Sequence, residues 1–197
     1  MLTACPLGPD HYSCEHKRRG DVDDALLNEV CRTLPLAAGC SSQDDHVAID
    51  TSGDYWRGDD LADLAEYLRE YQAGGYRGVT VVEFECPQCR GLAFDVSADA
   101  VEGCAQLTCL TCVAKSFAAD SEDFWEDAQP EPVSCPCGGT TCAAAIGFVL
   151  RPDSEVRWVS VGIRCITDGA LGVCADWKID YSPSTHLVEA PAIREKT

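Results

Sequence analysis

The chain has 197 residues, 46% of them hydrophobic, enough for one or two ordinary globular domains. It sets 15 Lys and Arg against 33 Asp and Glu, a net charge of −18, which argues against duplex nucleic acid and anionic membrane as partners. No run approaches the ~18 apolar residues of a membrane-spanning helix. The expected partner is a protein, and by charge a basic one. The imbalance is uneven: residues 1–75 hold 6 basic and 15 acidic side chains, residues 76–130 hold 3 and 10, and residues 131–197 hold 6 and 8.

Fourteen cysteines make compartment the next question. The first ten residues lack a basic start followed by an apolar run, so no secretory signal is expected. A cytoplasmic location follows as the expectation, and there cysteine pairs favour metal over disulfide; export would reverse that order. Residues 1–50 read as an N-terminal extension, disordered or carrying one helix. Within it Cys5, His11, Cys14 and His16 match no metal spacing. Lys17-Arg18-Arg19 is too short for a nucleic-acid patch. Val22, Leu26, Val30 and Leu34 recur at helical spacing before Pro35, which predicts a helix over 21–34. Cys31, Cys40 and His46 have no recognisable pattern.

A firmer helix is predicted over 59–73. Leu61, Leu64, Leu68 and Tyr71 form its apolar face, with Asp59 as the cap and Gly74-Gly75 as the stop. Such a stripe needs a surface to pack on, and the following β unit supplies one. Residues 79–86 alternate as a strand and run into Cys86-Pro87-Gln88-Cys89. Arg90-Gly91 turns the chain, 92–96 returns it, and 104–108 leads into Cys109-Leu110-Thr111-Cys112. Cys104, outside the pairs, is expected as a small core residue.

Two C-x2-C pairs separated by nineteen residues fit a four-thiolate zinc site. Two sulfurs from one tight turn occupy one edge of a tetrahedron, and a second turn supplies the opposite edge. On these residues the stretch 79–119 resembles a zinc ribbon, a small β module closed by metal. The resemblance implies a structural Zn2+ on Cys86, Cys89, Cys109 and Cys112, and no particular activity. Arg outnumbers Lys 11 to 4, a usage similar to that of GC-rich bacterial, actinobacterial genomes. Ribbon-bearing bacterial proteins with Asp-Trp-Lys segments are similar too.

Residues 120–127 then place five carboxylates around Phe124 and Trp125. Two readings compete: a connecting helix whose aromatics plug the core, which is preferred, and a docking site where the aromatics anchor a basic partner. After the linker at 129–132 the plan repeats. Cys135-Pro136-Cys137 is a shortened knuckle, 141–150 and 156–165 are long strands, and Cys165-Ile166-Thr167-Asp168-Gly169 has the form of a C-x2-C knuckle with Asp at its last corner. Cys135, Cys137, Cys165 and Asp168 are the candidate ligands of a second Zn2+, with Cys142 and Cys174 as rivals for the fourth place. A metal-free hairpin is the competing reading. Trp177 and Ile179 share one face of a last strand, and coil is expected after Pro183, leaving His186 solvated.

The fold class expected is α+β: one or two antiparallel zinc-ribbon-like β units with a packed amphipathic helix and a flexible N-terminal extension. The units are 51–128 and 129–185, followed by a tail at 186–197. No nucleophile, P-loop or zinc-protease motif occurs. The expected function is therefore a non-enzymatic protein-binding or adaptor module. The alternatives are a transcription-linked ribbon contacting polymerase or nucleic acid, and a metal-dependent hydrolase using Asp168 as base.

Overall fold

The computed structural model of the protein describes residues 49–189 and the backbone of 192–194. The expected helix 21–34, the basic trio, and the thiols and imidazoles before residue 49 lie outside these residues.

The predicted amphipathic helix is Leu61–Tyr71 (α1). Its cap is Asp60 rather than Asp59. The Asp60 carboxylate accepts from the amides of Ala62 and Asp63, and the Asp63 carboxylate accepts back from the Asp60 amide, a reciprocal capping box. Gln72 turns left-handed at φ 51° and ends the helix two residues ahead of the glycines. Leu64 and Leu68 are fully buried.

Nine strands among the described residues form one antiparallel sheet. They are β1 (Val79–Glu83), β2 (Phe94–Asp99), β3 (Cys104–Cys109), β4 (Lys115–Ala118), β5 (Glu131–Pro132), β6 (Thr141–Leu150), β7 (Val156–Cys165), β8 (Leu171–Lys178) and β9 (Ala192–Arg194). The order is β8-β7-β6-β2-β3-β4-β9, with β1 also on β6 and β5 also on β2. Helix, sheet and turn together make an α+β fold.

The register contains a repeat about a local two-fold axis between β2 and β6. Phe94 faces Cys109 in β2–β3 as Cys142 faces Cys165 in β6–β7. Thr108 faces Lys115 in β3–β4 as Arg164 faces Leu171 in β7–β8. Phe94 and Cys142, which correspond, face each other across the axis. The strand before each first knuckle crosses to the other half. Glu83 of β1 pairs with Ala145 of β6, and Pro132 of β5 pairs with Ser97 of β2. The amide of Phe84 donates to Ala144, and that of Val133 to Val96, completing the same exchange.

This corrects the strand order expected for residues 79–119, where 79–86 would lie beside 92–96. The physical reason is that β1 is apolar on both faces. Val82 and Phe84 enter the main core, while Val79 and Val81 join the clusters on the α1 side. A strand of that kind needs cover on both sides. Beside β6 it has α1 over one face and the main core under the other. β6, buried from Cys142 to Val149, is placed the same way.

The main core draws on both halves, with Phe84 edge-on to Phe94 at 5.2 Å and Leu107, Ile146, Phe148 and Trp177 in the same cluster. Asp120 lies buried in this core. Its carboxylate makes no cap bond to the 3₁₀ turn that follows but accepts hydrogen bonds from Trp177 Nε1 and the Tyr181 hydroxyl, both at 2.9 Å. The acidic-aromatic stretch forms a 3₁₀ turn, Ser121–Phe124, and its two aromatics divide. Trp125 packs edge-on against Phe117 at 5.3 Å, but Phe124 is 42% exposed and plugs nothing. Cys104 is fully buried, as expected. The tail is not coil: Pro183 is followed by a helical turn, His186–Glu189 (α2), and β9 pairs with β4. No helix of the described residues is long and apolar enough to cross a membrane.

Candidate metal centres

Each half brings two knuckles together at one end of its strands. In three of them, starting at Cys86, Cys109 and Cys165, the first cysteine's amide donates to the carbonyl five residues on. Its own carbonyl accepts from the amide four residues on. The Cys135 knuckle is one residue shorter and makes the same pair of bonds one position earlier, to Gly139 and from Gly138. The residue after the second ligand is left-handed every time: Arg90 at φ 63°, Val113 at 55°, Gly138 at 88° and Gly169 at 74°. At Val113 this conformation is strained, because a β-branched side chain rarely adopts it.

The knuckles converge two groups of ligand atoms. Those of Cys86, Cys89, Cys109 and Cys112 all lie within 4.8 Å of one another, and so do those of Cys135, Cys137, Cys165 and Asp168. In the first group Cys89 and Cys109 Sγ are 3.5 Å apart, and Cys86 and Cys112 Sγ 3.6 Å. In the second, Cys137 and Cys165 Sγ are 3.7 Å apart, and Cys135 Sγ lies 3.4 Å from Asp168 Oδ1. A tetrahedron of sulfurs at about 2.3 Å from a zinc-sized ion has edges of about 3.8 Å, so both groups geometrically suit a metal ion. Burial repeats as well. The first ligand of each knuckle is buried, Cys89 and Cys137 are exposed, and Cys112 and Asp168 are half-buried.

A glycine stands against each group. A Cβ on Gly91 would lie 3.1 Å from Cys109 Sγ, 3.3 Å from Cys89 Sγ and 3.0 Å from Thr111 Oγ1. A Cβ on Gly139 would lie 3.3 Å from both Cys137 and Cys165 Sγ and 2.9 Å from Thr167 Oγ1. The side of each cluster is thus kept open by a missing side chain at the same place in the repeat.

Hydrogen bonds favour ionised ligands, and crowding opposes them. Burial works against the Cys109 thiolate, but the amides of Cys112 and Thr111 outweigh it and bring the thiol down to about 6. The Gly91 amide favours the Cys89 thiolate, yet the neighbouring thiols push it up to about 12. In the second group the Gly139 amide holds Cys137 below the usual thiol range, while burial pushes Cys135 up. Burial also works against the Asp168 carboxylate, but the Ala170 amide leads the interactions that keep it below its ordinary value. Four such groups at this spacing cannot all ionise unless a cation lies among them. A metal ion is a complement that this donor set could take.

The sequence-predicted ligands are therefore brought together in two sets of four. Asp168, not Cys142 or Cys174, completes the second. Cys142 Sγ lies 3.6 Å from the Phe94 carbonyl, and burial, with Cys165 and Asp95 nearby, pushes its thiol up to about 12. Cys174 Sγ lies 3.5 Å from the Val161 carbonyl. Sequence reading placed Gly91 in a turn but did not see that it and Gly139 stand against the ligand sets. Their shared position, two residues past Cys89 and Cys137, was the available signal. It also missed Arg57, whose Nη2 stands 4.0 Å from Asp168 Oδ2 and which nothing in the cysteine pattern announces. No family model, curated protein or solved structure matches the chain.

Proposed function

We propose that this chain is a two-zinc scaffold of paired ribbon-like halves whose work is non-enzymatic protein binding. The observation that carries the metal reading is the correspondence of the two ligand sets, knuckle for knuckle, amide for amide and glycine for glycine. Tetrahedral sets of four sulfurs, or of three sulfurs and one oxygen, suit Zn2+ among common ions. Each set supplies four protein ligands, which closes a zinc coordination sphere. A catalytic zinc keeps an open position, so a structural role is the better reading for both.

The binding reading rests on charge and exposure. Phe124 is exposed, with Asp123, Glu126 and Asp127 exposed around it, on a chain of net charge −18. An apolar anchor ringed by carboxylates suits a basic protein segment in the cytoplasm. Binding of a fluorescent Lys- and Arg-rich peptide with interspersed apolar residues tests this. Capture should weaken with salt and with Phe124→Ala, which should leave the fold unchanged because the ring is 42% exposed. Tighter binding of duplex DNA than of the peptide at moderate salt would overturn the assignment in favour of a nucleic-acid role. Ester hydrolysis lost on chelation would overturn it in favour of an enzyme.

A further inference from the structure

The two halves differ where it matters for the metal: Cys112 of one corresponds to Asp168 of the other. At that corner stands a segment the repeat does not contain. Residues 50–58, ahead of α1, form a strap against the Cys165–Ala170 knuckle. Asp50 and Arg57 exchange both backbone hydrogen bonds at 2.9 Å, which folds the strap on itself. Arg57 bridges Ala170, the Gly58 amide donates to the Gly169 carbonyl at 2.9 Å, and the Leu171 amide donates to the Trp56 carbonyl at 2.8 Å. Arg164 ties the same two pieces from the strand side, with Nη2 donating to the Asp59 carbonyl and Nη1 to the Cys165 carbonyl. The fit is close: a Cβ on Gly169 would lie 2.7 Å from the Gly58 carbonyl oxygen.

This docking carries the Arg57 side chain to Asp168. The two carboxylate oxygens then have different surroundings. Oδ1 faces the sulfurs, 3.4 Å from Cys135 Sγ, and takes the Ala170 amide at 3.2 Å. Oδ2 faces outward, toward the Arg57 guanidinium. A thiolate corner offers one ligand atom and has no such choice to make. A carboxylate can bind a metal through either oxygen or both, so it needs its second oxygen held.

We propose that Arg57 is a positioning residue of the second metal centre: it holds the outer oxygen of Asp168 so that the carboxylate binds a divalent ion through Oδ1 alone, as the fourth corner of a Cys3Asp site. The proposal rests on the two-metal reading above. The guanidinium also offsets the excess negative charge of three thiolates and a carboxylate around a divalent cation. Partners of this outer kind orient metal ligands generally, and their removal typically costs 10–100-fold in affinity.

The test uses the full chain, first counted for zinc by native mass and then compared with Arg57→Ala, Arg57→Lys, Asp168→Cys and the double variant Arg57→Ala/Asp168→Cys. A chromogenic chelator reads metal release, and the visible spectrum of the Co2+-loaded protein reads coordination. Arg57→Ala should speed release of one of the two metals at least about tenfold and leave the other unchanged. It should weaken the cobalt absorption as the freed carboxylate binds through both oxygens. Asp168→Cys should hold its metal longer than wild type, and on that background Arg57→Ala should change neither release nor spectrum. Equal acceleration on both backgrounds with an unchanged spectrum would make Arg57 a strap residue only and overturn the proposal. So would an Arg57→Ala protein indistinguishable from wild type. A wild-type chain holding one zinc would overturn this proposal together with the two-metal reading, whereas two zincs with no Arg57 effect would overturn this proposal alone.

Discussion

Gly91→Ala and Gly139→Ala should each loosen one metal and spare the other. In both variants the added methyl meets two ligand sulfurs and one threonine hydroxyl: 3.1, 3.3 and 3.0 Å at Gly91, and 3.3, 3.3 and 2.9 Å at Gly139. Neither glycine has a positive φ, so backbone strain adds nothing and the effect is contact alone. The threonine can turn away, but the sulfurs are fixed by their knuckles and must shift by a few tenths of an ångström. Overpacking of this kind costs about 1–3 kcal/mol. If that cost falls on the metal-bound form, affinity drops by about one to two orders of magnitude, at 1.4 kcal/mol per decade. Competition against a chromogenic chelator measures it, with biphasic release assigning each phase to a site. Thr111→Ala and Thr167→Ala should relieve part of the loss, each only beside its own glycine. Two alanine variants with unchanged competition would refute the view that these glycines make room for a bound ion. A Gly91→Ala effect confined to the second site would refute the assignment of ligands to sites.

Cys109→Ser removes a buried sulfur at the end of β3. Because zinc binding is folding free energy, on the order of 10–16 kcal/mol apparent in small finger peptides, the variant should be insoluble or protease-sensitive. Soluble protein with an unchanged far-UV circular dichroism spectrum and one fewer metal would contradict the structural role. Phe124→Ala should change stability within about 0.5 kcal/mol, while Trp125→Ala, which strips the ring from Phe117, should lower Tm clearly. Denaturant melts of both variants separate surface anchor from core plug. Burial of Tyr67, on the packed face of α1, pushes its phenol up to about 12, above the ordinary value of about 10. With the folded pKa raised, the stability this group contributes is full below pH 10 and lost as pH rises through 12. Tyr67→Phe should therefore flatten the fall of Tm across that window, and an identical alkaline fall in both proteins would count against the burial.

What was legible in the chain was whatever local chemistry writes down. C-x2-C pairs, a heptad-like stripe from Leu61 to Tyr71 and turn residues between apolar runs specify knuckles, helix and strands without reference to distant segments. The partnership of the two units was visible as a repeat, even with Asp168 in place of cysteine. The exchange of β1 and β5 across the local axis was not, because a strand's pattern tells how many faces it buries and not which strand lies beside it. Asp59 and Asp60 both satisfy the requirements of a helix cap, and the Asp63 carboxylate accepts from both their amides; what decides is that the Asp60 carboxylate, not that of Asp59, takes the amides of Ala62 and Asp63. Phe124 and Trp125 are adjacent aromatics of equal apparent claim on the core, and a single 3₁₀ turn sends one to Phe117 and the other to solvent. Arg57 lies 111 residues from Asp168 in the sequence, and the contact depends on the whole strap docking to the knuckle.

The central claim is that one chain holds two four-ligand metal sites of the same construction. Native mass spectrometry beside elemental analysis of the full chain tests it most directly, since it fixes metal and subunit count together. The account predicts two zinc ions per chain, the second lost in Asp168→Ala while the first is kept. One zinc per chain, or two that Asp168→Ala leaves in place, would contradict it.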